Sequence, residues 1–129
     1  MTKILVVDDE ESFGQMMKLN LEEIYGYQVR VETKGSQVLH AVKEFQPHLI
    51  FLDIVMPDLG GEKVAKELKS NNSMKHIPIV FLTAALSSDE IKENENISKY
   101  QVLCKPVSLD ELVKCIGQYI IDHQNDKKD

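Results

Sequence analysis

Three short, nearly unbroken apolar runs constrain this chain most: Lys3-Ile4-Leu5-Val6-Val7, Leu49-Ile50-Phe51-Leu52 and Ile79-Val80-Phe81-Leu82. Runs of this length and composition read as strands buried on both faces, the pattern of a parallel sheet covered by helices. Tyr27, Val29 and Val31 alternate with polar residues and predict another strand nearer an edge. Val102-Leu103-Cys104 is a short fifth candidate.

Helical periodicity fills the intervals. Phe13, Met16, Met17, Asn20, Leu21 and Ile24 follow a 3.6-residue period, and Gly26 is the stop signal. Val38, Leu39, Val42 and Phe45 repeat the pattern after Gly35-Ser36, closed by Pro47. Val64, Ala65 and Leu68 mark a third helix, and Ser87–Ile97 a fourth in which Ile91 and Ile97 stand among charges. Leu109, Leu112, Val113, Ile116 and Ile120 define the last, with Ser108 as N-cap and Asp110 and Glu111 at the positive end of its dipole. The order is β-α five times, which predicts one doubly wound α/β domain over residues 1–122. Residues 123–129 form a charged tail that is expected to fray.

Composition narrows the function. With 129 residues, 43% apolar and 28% charged, the chain can bury one core without disulfides or metals. A formal charge of −6 repels phosphate backbones, so no direct nucleic-acid partner is expected. No apolar run approaches the roughly 20 residues of a membrane helix. The first strand runs straight into Asp8-Asp9-Glu10-Glu11, which no signal peptide tolerates. Cys104 and Cys115 form no framework and read as reduced thiols of a cytoplasmic protein, Cys104 as a buried, inert one.

In open α/β sheets, ligands bind beyond the carboxyl ends of the strands. There lie Asp8, Asp9 and Glu10 after the first strand, Asp53 after the third, Thr83 after the fourth, and Lys105-Pro106 after the fifth. Convergent carboxylates repel one another, and a hard divalent cation such as Mg²⁺ relieves this while keeping positions open for phosphate. Beside such an ion a carboxylate can attack a phosphoryl group to give an acyl phosphate. Lys105 would add positive charge, and Thr83 a hydroxyl donor. Taken singly, the acidic pair also reads as helix N-terminal decoration, Lys105 as a solvated charge and Thr83 as a strand-end cap.

The segments ILVVDDEE, LIFLDIVMPDLGG, IVFLTA and CKPVS resemble, in order and spacing, the receiver domains of response regulators, from Lys3 to Ile121. The resemblance implies a flavodoxin-like (βα)5 receiver fold. It matches Asp53 to the phospho-accepting aspartate, Asp9 to the direct Mg²⁺ ligand and Asp8 to the acid that reaches the metal through water. Val55 matches the residue whose backbone carbonyl completes the protein ligands. Thr83 matches the switch hydroxyl and Lys105 the phosphate-binding lysine, with a cis Lys105–Pro106 peptide. Pro57 and Gly61 match the loop after the phospho-site, and Ala84 the small residue that leaves room for the phosphoryl group. The implied donor is a phosphohistidine on a sensor histidine kinase or a histidine phosphotransfer protein, in a two-component or phosphorelay system. An unidentified downstream protein would read the signal, and a homodimer through the fourth-helix face is an option.

Two departures stand out. Val102 occupies the place where the family has Tyr or Phe, whose ring reports the state of the switch hydroxyl; Tyr100 lies two residues short of it. Ser98-Lys99-Tyr100 replaces the usual Gly-Ala turn. Val55 and Ala85, small or apolar where some receivers position a hydrolytic water, imply slow self-dephosphorylation. The rivals are a pseudo-receiver that binds partners without phosphorylation, an Asp-nucleophile phosphatase and a nucleotide-binding module. The phosphatase needs an acid where Val55 stands, and the nucleotide module needs a glycine fingerprint that is missing. The sequence reads as a complete small protein, with a fragment of a larger hybrid kinase or regulator as the alternative. Gly60-Gly61 reads as a turn with unusual backbone angles, and His40, His48, His76 and His123 lack metal-ligand spacing.

Overall fold

The computed structural model describes residues 1–84 and 86–128, with side chains as far as residue 120. Its strands are β1 (Lys3–Val7), β2 (Gln28–Glu32), β3 (Leu49–Asp53), β4 (Ile79–Thr83) and β5 (Gln101–Cys104). Its helices are α1 (Glu11–Tyr25), α2 (Val38–Phe45), α3 (Gly61–Ser70), α4 (Ser88–Glu93) and α5 (Leu109–Lys128), with a 3₁₀ turn over Gly35–Gln37 before α2. Helix α5 thus runs through residues 123–128, which the sequence pattern sets apart as a tail.

All four strand pairings are parallel, in the order β2-β1-β3-β4-β5. Alternate residues divide the core in two, because side chains on a strand point to opposite faces. Ile4, Val6, Phe51, Val80 and Leu82 meet Met17 and Leu21 of α1 and Leu112 and Ile116 of α5. Leu5, Val7, Ile50, Leu52 and Phe81 meet Val38 and Val42 of α2 and Val64 and Leu68 of α3. The result is the three-layered, doubly wound sheet that the apolar runs predict. β3 and β4 are buried along their whole length.

The helix boundaries follow local chemistry. Gly26 ends α1 in the left-handed conformation at φ 73°. Gln46 ends α2 at φ 51°, since Pro47 disfavours a helical residue before it. Ser108 accepts a hydrogen bond from the Glu111 N–H at 3.1 Å and so caps α5.

Three expectations are corrected. α4 spans only Ser88–Glu93, started by the Ser87–Glu90 capping box and ended at Asn94. With so few apolar residues, little packing holds it longer; Ile97 is nonetheless fully buried beyond it. On α1, Met17 is core while Met16 and Ile24 form the rim, 48% and 60% exposed, since the helix meets the sheet along the line of Gly14, Met17 and Leu21. Cys104 is exposed rather than buried, because it ends edge strand β5; Cys115 is the buried thiol. Gly60 and Gly61 have no positive φ. What demands glycine at 61 is close approach: a Cβ there would collide with the carbonyl oxygen of Asp53.

Candidate functional site

Parallel strands all deliver their carboxyl ends to one edge of the sheet. β1 leads into Asp8, whose N–H donates to the Glu32 carbonyl at 3.0 Å, and β3 ends at Asp53. β4 ends at Thr83, whose carbonyl accepts the Lys105 N–H at 2.7 Å. The chain then turns through a cis Lys105–Pro106 peptide. Asp8, Asp53 and Thr83 are buried, whereas Asp9 is exposed at the mouth.

One carboxylate oxygen from each of Asp8, Asp9 and Asp53 lies within 4.8 Å of the others. Among the described residues this is the one grouping of His, Cys, Asp or Glu spaced to hold a metal ion. Lys105 Nζ stands 2.6 Å from Asp8 Oδ2 and 3.7 Å from Asp53 Oδ2, with a side chain only 12% exposed. Asp8 Oδ1 accepts the Glu10 N–H at 2.9 Å, and Asp53 Oδ1 accepts the Val55 N–H at 3.2 Å. The Val55 side chain itself points out to solvent.

Burial sets the electrostatics. It is the main force pushing the Asp53 carboxyl up to about 7, reinforced by the Asp8 charge and opposed by Lys105 and the Val55 N–H. Burial also pulls down on the Lys105 ammonium. The hydrogen bond to Asp8 and the charges of Asp53, Asp8 and Glu10 outweigh it, so the ammonium is held above its ordinary range. A buried nucleophile-type carboxylate next to a fixed cation and two further acids suits an oxygen-seeking divalent ion and a transferred phosphoryl group. The oxygen-only donor set fits Mg²⁺ in kind.

The structure therefore brings Asp8, Asp9, Asp53, Val55, Thr83, Lys105 and Pro106 to one edge. Ala84 joins Glu10, Phe13, Met16, Lys105, Pro106 and Val107 in lining an adjacent groove of about 400 Å³. Ala85 lies outside the described residues. Val102 is set apart from the acids: it pairs in register with Phe81 and packs half-buried on the α3 side of the sheet. On that same side the Tyr100 ring meets Phe81 edge-on, with centroids 5.0 Å apart.

Two contributors, Phe13 and Asp58, escape the sequence pattern, and a third, Gly61, is matched by resemblance without its packing role. Phe13 places its ring 4.7 Å from Lys105 Nζ. Its period marks it as core; the sign of a second role is that α1 begins directly after the acidic pair, so its first turn borders the site. Gly61 lets α3 close against the backbone of Asp53. Asp58 accepts the N–H groups of Gly35 and Ser36 at 3.1 and 3.0 Å, tying the loop after Asp53 to the turn before α2.

Known proteins are similar to this chain in sequence and in fold. The family model for the response regulator receiver domain matches residues 4–117. The polar-differentiation response regulator DivK of Brucella ovis is 28% identical over 123 residues, covering 95% of this chain and 99% of that protein. Chemotaxis protein CheY4 of Vibrio cholerae superposes with a TM-score of 0.81 at 28% identity, covering 92% and 98% of the two chains. Response regulator TrrA of Thermotoga maritima, solved in complex with Mg²⁺ and BeF, gives a TM-score of 0.79 at 29% identity, covering 92% and 99%. Because the family match runs from β1 into α5, across every strand and the whole acidic pocket, the chain belongs to the response regulator receiver domains, phospho-accepting modules of two-component signalling.

Proposed function

We propose that this receiver takes a phosphoryl group from a phosphohistidine onto Asp53 and passes the signal to a partner protein. The observation that carries the reading is the buried Asp53 carboxylate at a strand end, flanked by Asp8, Asp9 and the Lys105 ammonium. A carboxylate oxygen of Asp53 attacks phosphorus in line with the donor nitrogen. The P–N bond breaks, its electron pair stays on the donor imidazole, and an acyl phosphate remains on Asp53. Asp8, Asp9, Asp53 and the Val55 carbonyl would hold a Mg²⁺ ion, whose charge would offset that of the phosphoryl oxygens. Lys105 and the Thr83 hydroxyl hold the remaining oxygens of the product. Receiver domains are signalling modules rather than conventional enzymes, and the chemistry assigned here is the domain's own phosphorylation and dephosphorylation.

The donor is a sensor histidine kinase or a histidine phosphotransfer protein in the cytoplasm. The receiver unit is residues 1–122. Thr83 and the segment through Val102 bias the α4 face between two states, which a downstream protein or a second copy reads. No helix among the described residues is long and apolar enough to cross a membrane. A pseudo-receiver is the second reading, favoured by one observation: β5 carries Val102 where the family has an aromatic ring.

Intact-mass spectrometry after incubation with a small-molecule phosphodonor, with and without Mg²⁺, tests the proposal on this protein and on Asp53→Asn. One added phosphoryl group that requires both Mg²⁺ and Asp53 is the expected result. A folded, Mg²⁺-binding protein that gains no phosphoryl group overturns it in favour of the pseudo-receiver.

A further inference from the structure

Lys105 carries a flexible four-carbon stem and a compact charge, so its use in phosphoryl transfer depends on what holds the ammonium in place. Two of its neighbours are carboxylates, Asp8 at 2.6 Å and Asp53 at 3.7 Å. Both are also the groups that a divalent cation and a phosphoryl group would claim. The third neighbour is the face of Phe13, 4.7 Å from Nζ. An aromatic face attracts a cation through its quadrupole, and the attraction strengthens where water is excluded. Unlike the carboxylates, the ring keeps the same charge distribution whatever binds to the acids.

Phe13 is itself firmly placed. Its N–H and that of Gly14 both donate to the Glu10 carbonyl, at 3.1 and 3.3 Å, which locks the first turn of α1 next to the acidic pair. Gly14 is buried against β2; a Cβ there would lie 2.5 Å from Val31 Cγ1, so α1 sits as close to the sheet as a glycine allows. The ring packs against the core cluster between the sheet and helices α1 and α5.

We propose that Phe13 is a positioning residue for the phosphoryl transfer, its ring holding the Lys105 ammonium beside Asp53 when the neighbouring carboxylates are occupied. The inference rests on the reading of Lys105 as a ligand of the phosphoryl oxygens, and the experiment separates the two.

The rate of phosphoryl incorporation from phosphoramidate at saturating Mg²⁺ is measured for the wild type, Phe13→Leu, Phe13→Tyr, Lys105→Ala and the Phe13→Leu/Lys105→Ala double variant. Phe13→Met serves if Phe13→Leu does not fold, and Mg²⁺ binding is followed with the metal alone. Phe13→Leu is expected to react about three- to tenfold more slowly, the range a partly desolvated cation–π contact spans. Its Mg²⁺ affinity stays unchanged, and Phe13→Tyr, which keeps the ring, restores the rate. In the Lys105→Ala background, Phe13→Leu adds no further loss. A wild-type rate for Phe13→Leu, or an equal loss with and without Lys105, overturns the positioning role while leaving Lys105 as a ligand. A wild-type rate for Lys105→Ala removes the underlying reading and the positioning role with it.

Discussion

At the scale of single residues, Asp53 carries the largest consequence of folding. Its carboxyl is pushed from 3.8 to about 7, mainly by burial. Below about pH 4 it is protonated in both folded and unfolded chains. As pH rises, the unfolded chain releases the proton first, so Asp53 contributes progressively less stability until it ionises in the folded state near 7. In metal-free buffer, the melting temperature of Asp53→Asn should therefore match the wild type in acid and exceed it increasingly on the way to about pH 8. A gap that does not grow with pH contradicts this account. Gly61 tests the neighbouring backbone. Gly61→Ala forces a methyl group onto the Asp53 carbonyl, and the expected cost is roughly 1–3 kcal/mol by urea denaturation. Slower phosphorylation of the same variant would show that the displaced backbone belongs to Asp53.

At the scale of elements, the edges of the sheet and the loop after Asp53 are held by side chains from neighbouring segments. β2 has a strand partner on one side only. Its free edge is satisfied by α1: Glu22 Oε2 accepts the Val29 N–H at 3.0 Å, and Lys18 Nζ donates to the Val29 carbonyl at 2.8 Å. The Val29 N–H is the main reason the Glu22 carboxyl is held below its ordinary range. Covering an edge in this way also blocks its pairing with another chain. Glu22→Ala should lower the melting temperature and raise the tendency to self-associate on sedimentation. The loop after β3 depends on Asp58, whose carboxyl is held down to about 2, chiefly by the Ser36 N–H. Asp58→Ala should melt earlier than the wild type at neutral pH. The difference should shrink as pH falls below 3.8 towards 2, where the native carboxylate takes up its proton.

At the scale of the whole molecule, the site joins residues that the chain keeps far apart. Asp8 and Lys105 share a hydrogen bond across 97 positions, and Asp53 stands beside them because β3 lies next to β1 in the sheet. An ion that binds this assembled site but not the unfolded chain must stabilise the fold by mass action. Mg²⁺ should therefore raise the melting temperature of the wild type with a logarithmic dependence on concentration, and do so less for Asp8→Asn. The same topology separates what the sequence determined from what it did not. The five strands, their order with the helices and the acids, hydroxyl and lysine at their ends were legible because burial on both faces and helical periodicity leave marks within a few residues. The length of α4, the exposure of Cys104, the reason for glycine at 61 and the stacking of Phe13 on Lys105 were not. Each depends on which distant segment arrives alongside, and local periodicity carries no information about that. The pattern of apolar runs determined a parallel sheet with chemistry at one edge; only tertiary packing decided how near the charges stand, how dry they are, and therefore at what pH Asp53 ionises.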